Sequence, residues 1–158
     1  MRLSPGVSRS AYNEFMREFV LEERLRTGIH EIDAAHERLL TGLSDLVQAV
    51  RTDYAAKHIE EFVRLMDYLA TEHFQDEECA MLRTGYPALL PHRIQHQALK
   101  AEFDLLVEQY AKSDHDGEIV VRLGNFMASW MSDHMYKYDL HMAKWLQNVP
   151  AIQSRLEA

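Results

Sequence analysis

The chain has 158 residues, of which 47% are hydrophobic and 27% charged, and its formal net charge is −8 at pH 7. This length and composition are typical of one globular domain with a hydrophobic core. The negative charge argues against nucleic acid and anionic membranes as partners, because both bind basic protein surfaces. Cys79 is the only cysteine, so the fold has to be stable without an intrachain disulfide.

The first 31 residues are expected to form an N-terminal arm before the main domain. Residues 1–20 lack the apolar segment of a signal peptide, and no apolar run reaches the roughly 18 residues of a membrane span, so we expect a cytoplasmic protein. Apolar side chains at helical spacing predict a short amphipathic helix in this arm; they are Tyr12, Phe15, Met16 and Phe19. The simpler expectation is that the arm packs across the main domain. The alternative is that residues 8–24 dock a protein partner or a second copy of the chain.

Residues 32–147 contain four segments of helical periodicity, separated by short breaker clusters. They run from about Asp33 to Arg51, Ala56 to Leu82, Pro91 to residue 112 and Glu118 to Trp145. Asp33 is a plausible N-cap of the first segment, and Gly85 suits a left-handed cap after the second. Because short connections make successive helices antiparallel, we predict an all-α, up-down-up-down four-helix bundle. Residues 148–158 are expected to form a C-terminal tail.

Titratable side chains interrupt the apolar stripe of every predicted helix. In chain order, they are His36, His73, Glu77, His92, His96 and His134. Burying such groups without partners is costly. Residues four apart lie on one helix face, so the pairs at 73 and 77 and at 92 and 96 each offer two ligands to one point. A single histidine on an apolar face is usually a hydrogen-bonded core residue, but five across four helices indicate a metal site. Imidazole and carboxylate together suit Fe, Zn, Mn or Ni.

The number of candidate ligands indicates two metal ions. A tetrahedral structural zinc needs four ligands, which is fewer than this core offers, whereas two ions bridged by carboxylates can use them all. The Glu-x-x-His pairs of ferritin-like sites are absent from the sequence, so the predicted site belongs to a different, histidine-rich class. Periodicity leaves the role of Asp139 open, because an α-helix turns about 140° away over the five residues that follow His134.

Four motifs resemble those of the hemerythrins, specifically of a bacterial hemerythrin. They are GIHEIDAAHERL (28–39), HFQDEECAM (73–81), YPALLPHRIQH (86–96) and WMSDHMYKYD (130–139). The resemblance covers roughly residues 27–146, and residues of the expected types fill all the ligand positions of the family. The arm departs from the family pattern, since it has no Trp where many relatives carry one.

The resemblance implies a non-haem centre of two Fe ions, bridged by two carboxylates and by a solvent-derived oxo or hydroxo group. The implied ligands are His92, His96 and His134 on one iron, His36 and His73 on the other, and Glu77 and Asp139 as bridges. Three histidines and three bridging oxygens complete one iron, whereas the iron with two histidines keeps an open position. An open position is what distinguishes a ligand-binding metal site from a structural one.

The function implied by the resemblance is reversible binding of O2, for storage, carriage or delivery, without enzymatic activity. Leu39, Phe74 and Trp130 lie next to ligands or one turn away, and they either line a dry O2 pocket or simply pack the core. One alternative is a sensor of O2 or redox state that signals to a separate partner. Another is a di-iron enzyme acting on peroxide or nitric oxide, although no separate acid–base group accompanies the ligands.

The remaining polar residues near these motifs are expected to take no part in the site. His30, His58, His115 and His141 match no ligand position, and we expect them to be exposed to solvent. Cys79 lies two residues after Glu77 and points off the stripe that faces the site. Glu78 and Cys79 are both bystanders in this interpretation.

Overall fold

The computed structural model describes residues 19–51, 55–113 and 117–149. Within these ranges the chain is helical and contains no strand, which confirms the all-α prediction. The helices are α1 (His30–Arg51), α2 (Ala55–Thr84), α3 (Leu89–Lys112), α4 (Gly117–His134) and α5 (Leu140–Asn148). A 3-10 turn at Glu23–Leu25 precedes α1, and a π-helical turn at Met135–Asp139 joins α4 to α5 without a break. None of the helices in these ranges is long and apolar enough to cross a membrane.

The four long helices form a closed bundle. Helix α1 packs against α2 and α4, and helix α3 packs against the same two neighbours. Short connections between successive helices set them antiparallel. The predicted up-down-up-down bundle is therefore the observed one, with α5 continuing the fourth helix beyond the π turn.

Helix α2 ends at a glycine cap, as the sequence predicts. Gly85 adopts φ +67°, a left-handed conformation that glycine tolerates without a steric penalty. The backbone N–H of Gly85 donates to the carbonyl of Leu82, and that of Tyr86 donates to the carbonyl of Met81. This pair of bonds is the Schellman cap expected for a glycine at this place, and it turns the chain toward α3.

Two apolar clusters fill the bundle, one large and one small. The small cluster contains Ile32, Met81, Met142 and Leu146. On α1, α2 and the fourth helix the predicted ligands stand in sequence between residues of the large cluster and residues of the small one. The polar site is thus enclosed by apolar packing toward both ends of the bundle.

Residues 19–29 of the arm run across the bundle surface. The backbone N–H of Phe19 donates to Ser44 Oγ at 3.4 Å, and the Ser44 hydroxyl donates back to the Phe19 carbonyl at 3.2 Å. Leu25 is buried in the large cluster. The predicted amphipathic helix lies outside the described residues except for Phe19, which packs against the core.

Asp33 has a different role from the predicted N-cap. Helix α1 begins three residues earlier, at His30, so Asp33 stands in its first turn. Its carboxylate accepts hydrogen bonds from the backbone and hydroxyl of Thr27, both at 2.7 Å, and from the backbone of Gly28 at 3.1 Å. The Gln147 side chain donates to the Thr27 carbonyl at 2.9 Å. Asp33 therefore anchors the arm where it enters the bundle.

Candidate metal centre

All seven residues predicted as ligands are buried and lie together in the bundle interior. They are His36, His73, Glu77, His92, His96, His134 and Asp139. None of them is more than 7% exposed, although burying unpaired polar groups costs free energy. Subsets of their nitrogen and oxygen atoms lie close enough to one another to share a metal ion.

Three of the histidines converge on one point, and we call them the three-histidine group: His92 and His96 on α3, and His134 at the end of α4. Nε2 of His134 lies 3.0 Å from Nε2 of His92 and 3.1 Å from Nε2 of His96. A single N–H on His134 cannot serve both neighbours as a hydrogen-bond donor. Three imidazole nitrogens at this spacing are better satisfied by donating their lone pairs to one cation.

The other two histidines, His36 on α1 and His73 on α2, form the two-histidine group. Their rings meet edge to face with centroids 4.9 Å apart. Nε2 of His36 lies 3.2 Å from Asp139 Oδ2, and Nε2 of His73 lies 3.3 Å from Glu77 Oε1. Both rings therefore turn their Nε2 atoms toward the carboxylates.

Glu77 and Asp139 each divide their two oxygens between the two groups. Oε2 of Glu77 lies 3.3 Å from Nε2 of His92 and 3.2 Å from Nε2 of His96, while its Oε1 faces His73. Oδ1 of Asp139 lies 3.1 Å from Nε2 of both His92 and His134, while its Oδ2 faces His36. Each carboxylate thus spans the gap between the three-histidine and two-histidine groups.

A π-helical turn brings Asp139 into this arrangement. In the turn the backbone N–H of Leu140 donates to the carbonyl of Met135, five residues earlier. A helix that closes over five residues places residues five apart on one face, which an α-helix would not do. The α-helical projection that left Asp139 open does not apply here, and His134 and Asp139 face the same site.

The residues present fit a pair of metal ions. None of the four carboxylate oxygens of Glu77 and Asp139 has a hydrogen-bond partner among the described residues, and bound cations would satisfy all of them. Two ligand atoms about 2.1 Å from one ion and at right angles to each other are about 3.0 Å apart. The observed separations of 3.0–3.3 Å between neighbouring candidate ligand atoms agree with that spacing.

The electrostatics of the metal-free site favour ionised carboxylates. Burial and the charge of Asp139 raise the pKa of Glu77, but His73 and close contacts with His92 and His96 lower it to about 2. Burial also opposes ionisation of Asp139, yet His134, His36 and His92 hold its pKa well below the usual range. Burial lowers the pKa of His92, but contacts with both carboxylates raise it to about 9. In the absence of metal, protons on imidazoles therefore balance the buried negative charge.

A small apolar cavity adjoins the two-histidine group. The space open to the centre of a water-sized molecule is about 10 Å³, which is at the lower limit for holding one molecule of the size of water. Its walls include His36, His73 and the three residues considered for an O2 pocket, Leu39, Phe74 and Trp130.

Aromatic rings stack on two imidazoles of the three-histidine group, those of His96 and His134. Phe74 stacks on His96 with centroids 3.8 Å apart and planes at 3°. Trp130 stacks on His134 at 4.2 Å, and Tyr138 stacks on the same imidazole at 5.2 Å. Tyr138 was not predicted from the sequence, but its position four residues after His134 placed it within reach of that ring.

Glu78 is not a bystander, and that prediction was wrong. Its Oε1 accepts a hydrogen bond from Nδ1 of His96 at 3.1 Å, and its Oε2 accepts one from Nε of Arg93 at 2.7 Å. The stripe argument failed because a long side chain at the edge of α2 reaches the neighbouring α3. The opposite charge of Arg93, next to a predicted ligand, was the available signal.

Other residues outside the site behave as expected where they are described. His30 and His141 are exposed, as is the free thiol of Cys79. The side chains of His58 and His115 lie outside the described part of the chain.

Comparison with known proteins agrees with this geometry. The model of the family "Hemerythrin HHE cation binding domain" matches residues 27–146. The chain is 22% identical over 127 residues to a bacteriohemerythrin of Clostridium acetobutylicum, covering 77% of this chain and 95% of that protein. It is 29% identical over 125 residues to a bacteriohemerythrin of Pseudomonas aeruginosa, covering 78% of each. No solved structure matches the chain significantly. The family match over most of the chain confirms the resemblance to bacterial hemerythrins, and the chain belongs to the hemerythrin family.

Proposed function

We propose that the chain binds O2 reversibly at a non-haem di-iron centre, and that it stores or carries O2. The observation that supports this most directly is the division of the Glu77 and Asp139 oxygens between two groups of histidines. Carboxylates placed in this way suit two ions that lie side by side. Membership of the hemerythrin family supports iron as the metal.

The proposed ligands of one ion are the three-histidine group, and those of the other are the two-histidine group, with both carboxylates shared. The second ion then has one protein ligand fewer than the first, and an incomplete ligand set leaves room for a small molecule. Two ferrous ions held by these residues would supply the two electrons needed to bind O2 reversibly.

The apolar cavity supports O2 as the ligand. It lies against His36 and His73, which belong to the ion with fewer protein ligands. His134 and Asp139 also line it, and its remaining walls are apolar side chains. A neutral diatomic molecule enters such a space without losing hydrogen bonds, whereas water has to give them up.

Leu39, Phe74 and Trp130 are proposed to keep this cavity dry. Phe74 and Trp130 also stack on candidate ligands, with centroid distances of 3.8 Å to His96 and 4.2 Å to His134. Among the described residues that line the cavity, the only acid–base groups are the candidate ligands themselves. Without a separate proton donor, bound O2 is expected to leave as O2, which favours carriage over turnover.

The test is an iron count combined with visible spectroscopy. We expect about two irons per chain after aerobic purification, and charge-transfer bands that disappear on deoxygenation and return with O2. His73→Ala should abolish reversible binding, because it removes one of the two histidines beside the cavity. His141→Ala is the matched control, since that histidine is exposed. Protein that holds no iron, or a single zinc, would overturn the proposal.

A further inference from the structure

We propose that Glu78, held by Arg93, is a positioning residue that fixes the tautomer of His96 and strengthens that imidazole as a metal ligand. The inference rests on the proposed metal centre and adds a residue outside its ligand set. It assigns to α2 two adjacent carboxylates with separate roles. Glu77 faces the metal directly, and Glu78 acts on the metal through His96.

The contacts of Glu78 connect the surface with the buried site. Its side chain is 23% exposed, between Arg93 at 39% and His96 at 3%. One oxygen accepts a hydrogen bond from Nε of Arg93 at 2.7 Å, and the other accepts one from Nδ1 of His96 at 3.1 Å. With one partner on each oxygen, the carboxylate is held in a single orientation across the α2–α3 interface.

A carboxylate only accepts hydrogen bonds, so the hydrogen of His96 has to be on Nδ1. In the neutral ring this leaves the lone pair on Nε2. That atom faces the site, 3.2 Å from Glu77 Oε2 and 3.1 Å from His134 Nε2. The contact with Glu78 therefore prepares His96 to donate to a metal before any metal arrives.

His96 differs from its neighbours in this respect. The Nδ1 atoms of His36, His92 and His134 are buried without a hydrogen-bond partner among the described residues. A metal-bound histidine usually donates its second ring N–H to a partner that orients the ring and increases its basicity. Here the Glu78 carboxylate is that partner for His96, one member of the three-histidine group.

The hydrogen bond from His96 to Glu78 should change how strongly His96 binds a metal. An acceptor at Nδ1 adds electron density to Nε2, which strengthens its bond to the metal and stabilises the more oxidised state. Loss of such a partner typically weakens metal binding by about 10- to 100-fold. Phe74 stacks on His96, so the ring plane retains a second support when Glu78 is replaced.

The experiment compares Glu78→Ala and Glu78→Gln with Glu72→Gln, a substitution of an exposed glutamate on the same helix. Metal affinity is measured by competition with a chelator. We expect a loss of about 10- to 100-fold for Glu78→Ala, a smaller loss for Glu78→Gln, and none for Glu72→Gln. The amide oxygen of Gln still accepts from Nδ1–H but more weakly than a carboxylate. Partial rescue by Gln separates positioning from a folding defect.

A second readout uses the chain loaded with Zn²⁺, which is diamagnetic. The His96 Nδ1–H resonance should be shifted downfield and protected from exchange in the wild type and in Glu72→Gln, and it should be lost or moved in Glu78→Ala. The iron-loaded Glu78 variants should also have a more positive reduction potential than the wild type. Wild-type affinity together with an unmoved His96 resonance in Glu78→Ala would overturn the inference. Failure of the wild type to bind two ions would instead overturn the proposed function.

Discussion

The metal-free protein should lose stability as the pH rises from about 6.5 to 9. His92 is held between Glu77 and Asp139, and these contacts raise its pKa from the ordinary 6.5 to about 9. A group whose pKa is raised by folding stabilises the folded state fully below its unfolded pKa and ceases to do so above its folded pKa. The shift is worth about 3 kcal/mol, at roughly 1.4 kcal/mol per unit.

Three other histidines of the site also have shifted pKa values, and the sign of each contribution follows from the direction of its shift. The pKa of His36 is also raised, because Asp139 and Glu77 outweigh the effect of burial, so its contribution has the same sign. Burial lowers the pKa values of His73 and His134, so their contributions have the opposite sign and are nearly complete once the pH exceeds the ordinary value of 6.5. Through most of the window between pH 6.5 and 9, the raised pKa values of His92 and His36 therefore make the folded protein less stable as the pH rises.

The assay is urea unfolding at a series of pH values in the presence of EDTA. The free energy of unfolding should fall by about 3 kcal/mol across this window. The metal-loaded protein should show the opposite trend, because metal ligands have to be deprotonated and rising pH strengthens metal binding. His92→Gln should flatten most of the metal-free dependence. A metal-free stability that stays constant or rises between pH 6.5 and 9 would refute the reasoning.

Further expectations concern single residues. Glu77→Ala should leave fewer than two irons per chain, because it removes the carboxylate whose oxygens face His73, His92 and His96; an unchanged iron count and spectrum would contradict the bridging role. Gly85→Ala should lower the free energy of unfolding by about 1–2 kcal/mol through its left-handed φ of +67°, with no change in iron content. Leu39→Ala should cost about 2–5 kcal/mol, because the buried side chain leaves a cavity. The same change should accelerate decay of the oxygenated form, measured by the loss of its visible bands, because water gains access.

The positions of the bundle helices were open to prediction because each helix buries a stripe of apolar side chains at its own period. The helices begin and end within a few residues of the predicted bounds, and Gly85 forms the cap that its lack of a side chain permits. The first helix starts three residues before Asp33, and the Asp33 carboxylate binds the preceding loop instead of capping the helix.

Six of the seven candidate ligands could be found from periodicity alone. A histidine or glutamate on an apolar stripe indicates a site, because burying it in a purely apolar core would cost free energy that no partner offsets. Asp139 was different, because its direction depends on five residues adopting a π turn. The periodicity of the local sequence does not distinguish such a turn from α-helix. Its assignment from the sequence rested on the resemblance to the hemerythrins.

The sequence by itself determined an all-α bundle and the residue types that converge in its interior, because helical period and the cost of burying polar groups are local properties. Only the tertiary structure decided which oxygen faces which histidine across the bundle, and that Glu78 contacts the imidazole of His96. Those contacts depend on how far one helix is rotated and shifted against the next. A small rotation of α2 against α3 would keep the wide apolar stripes buried and yet separate Glu78 from His96.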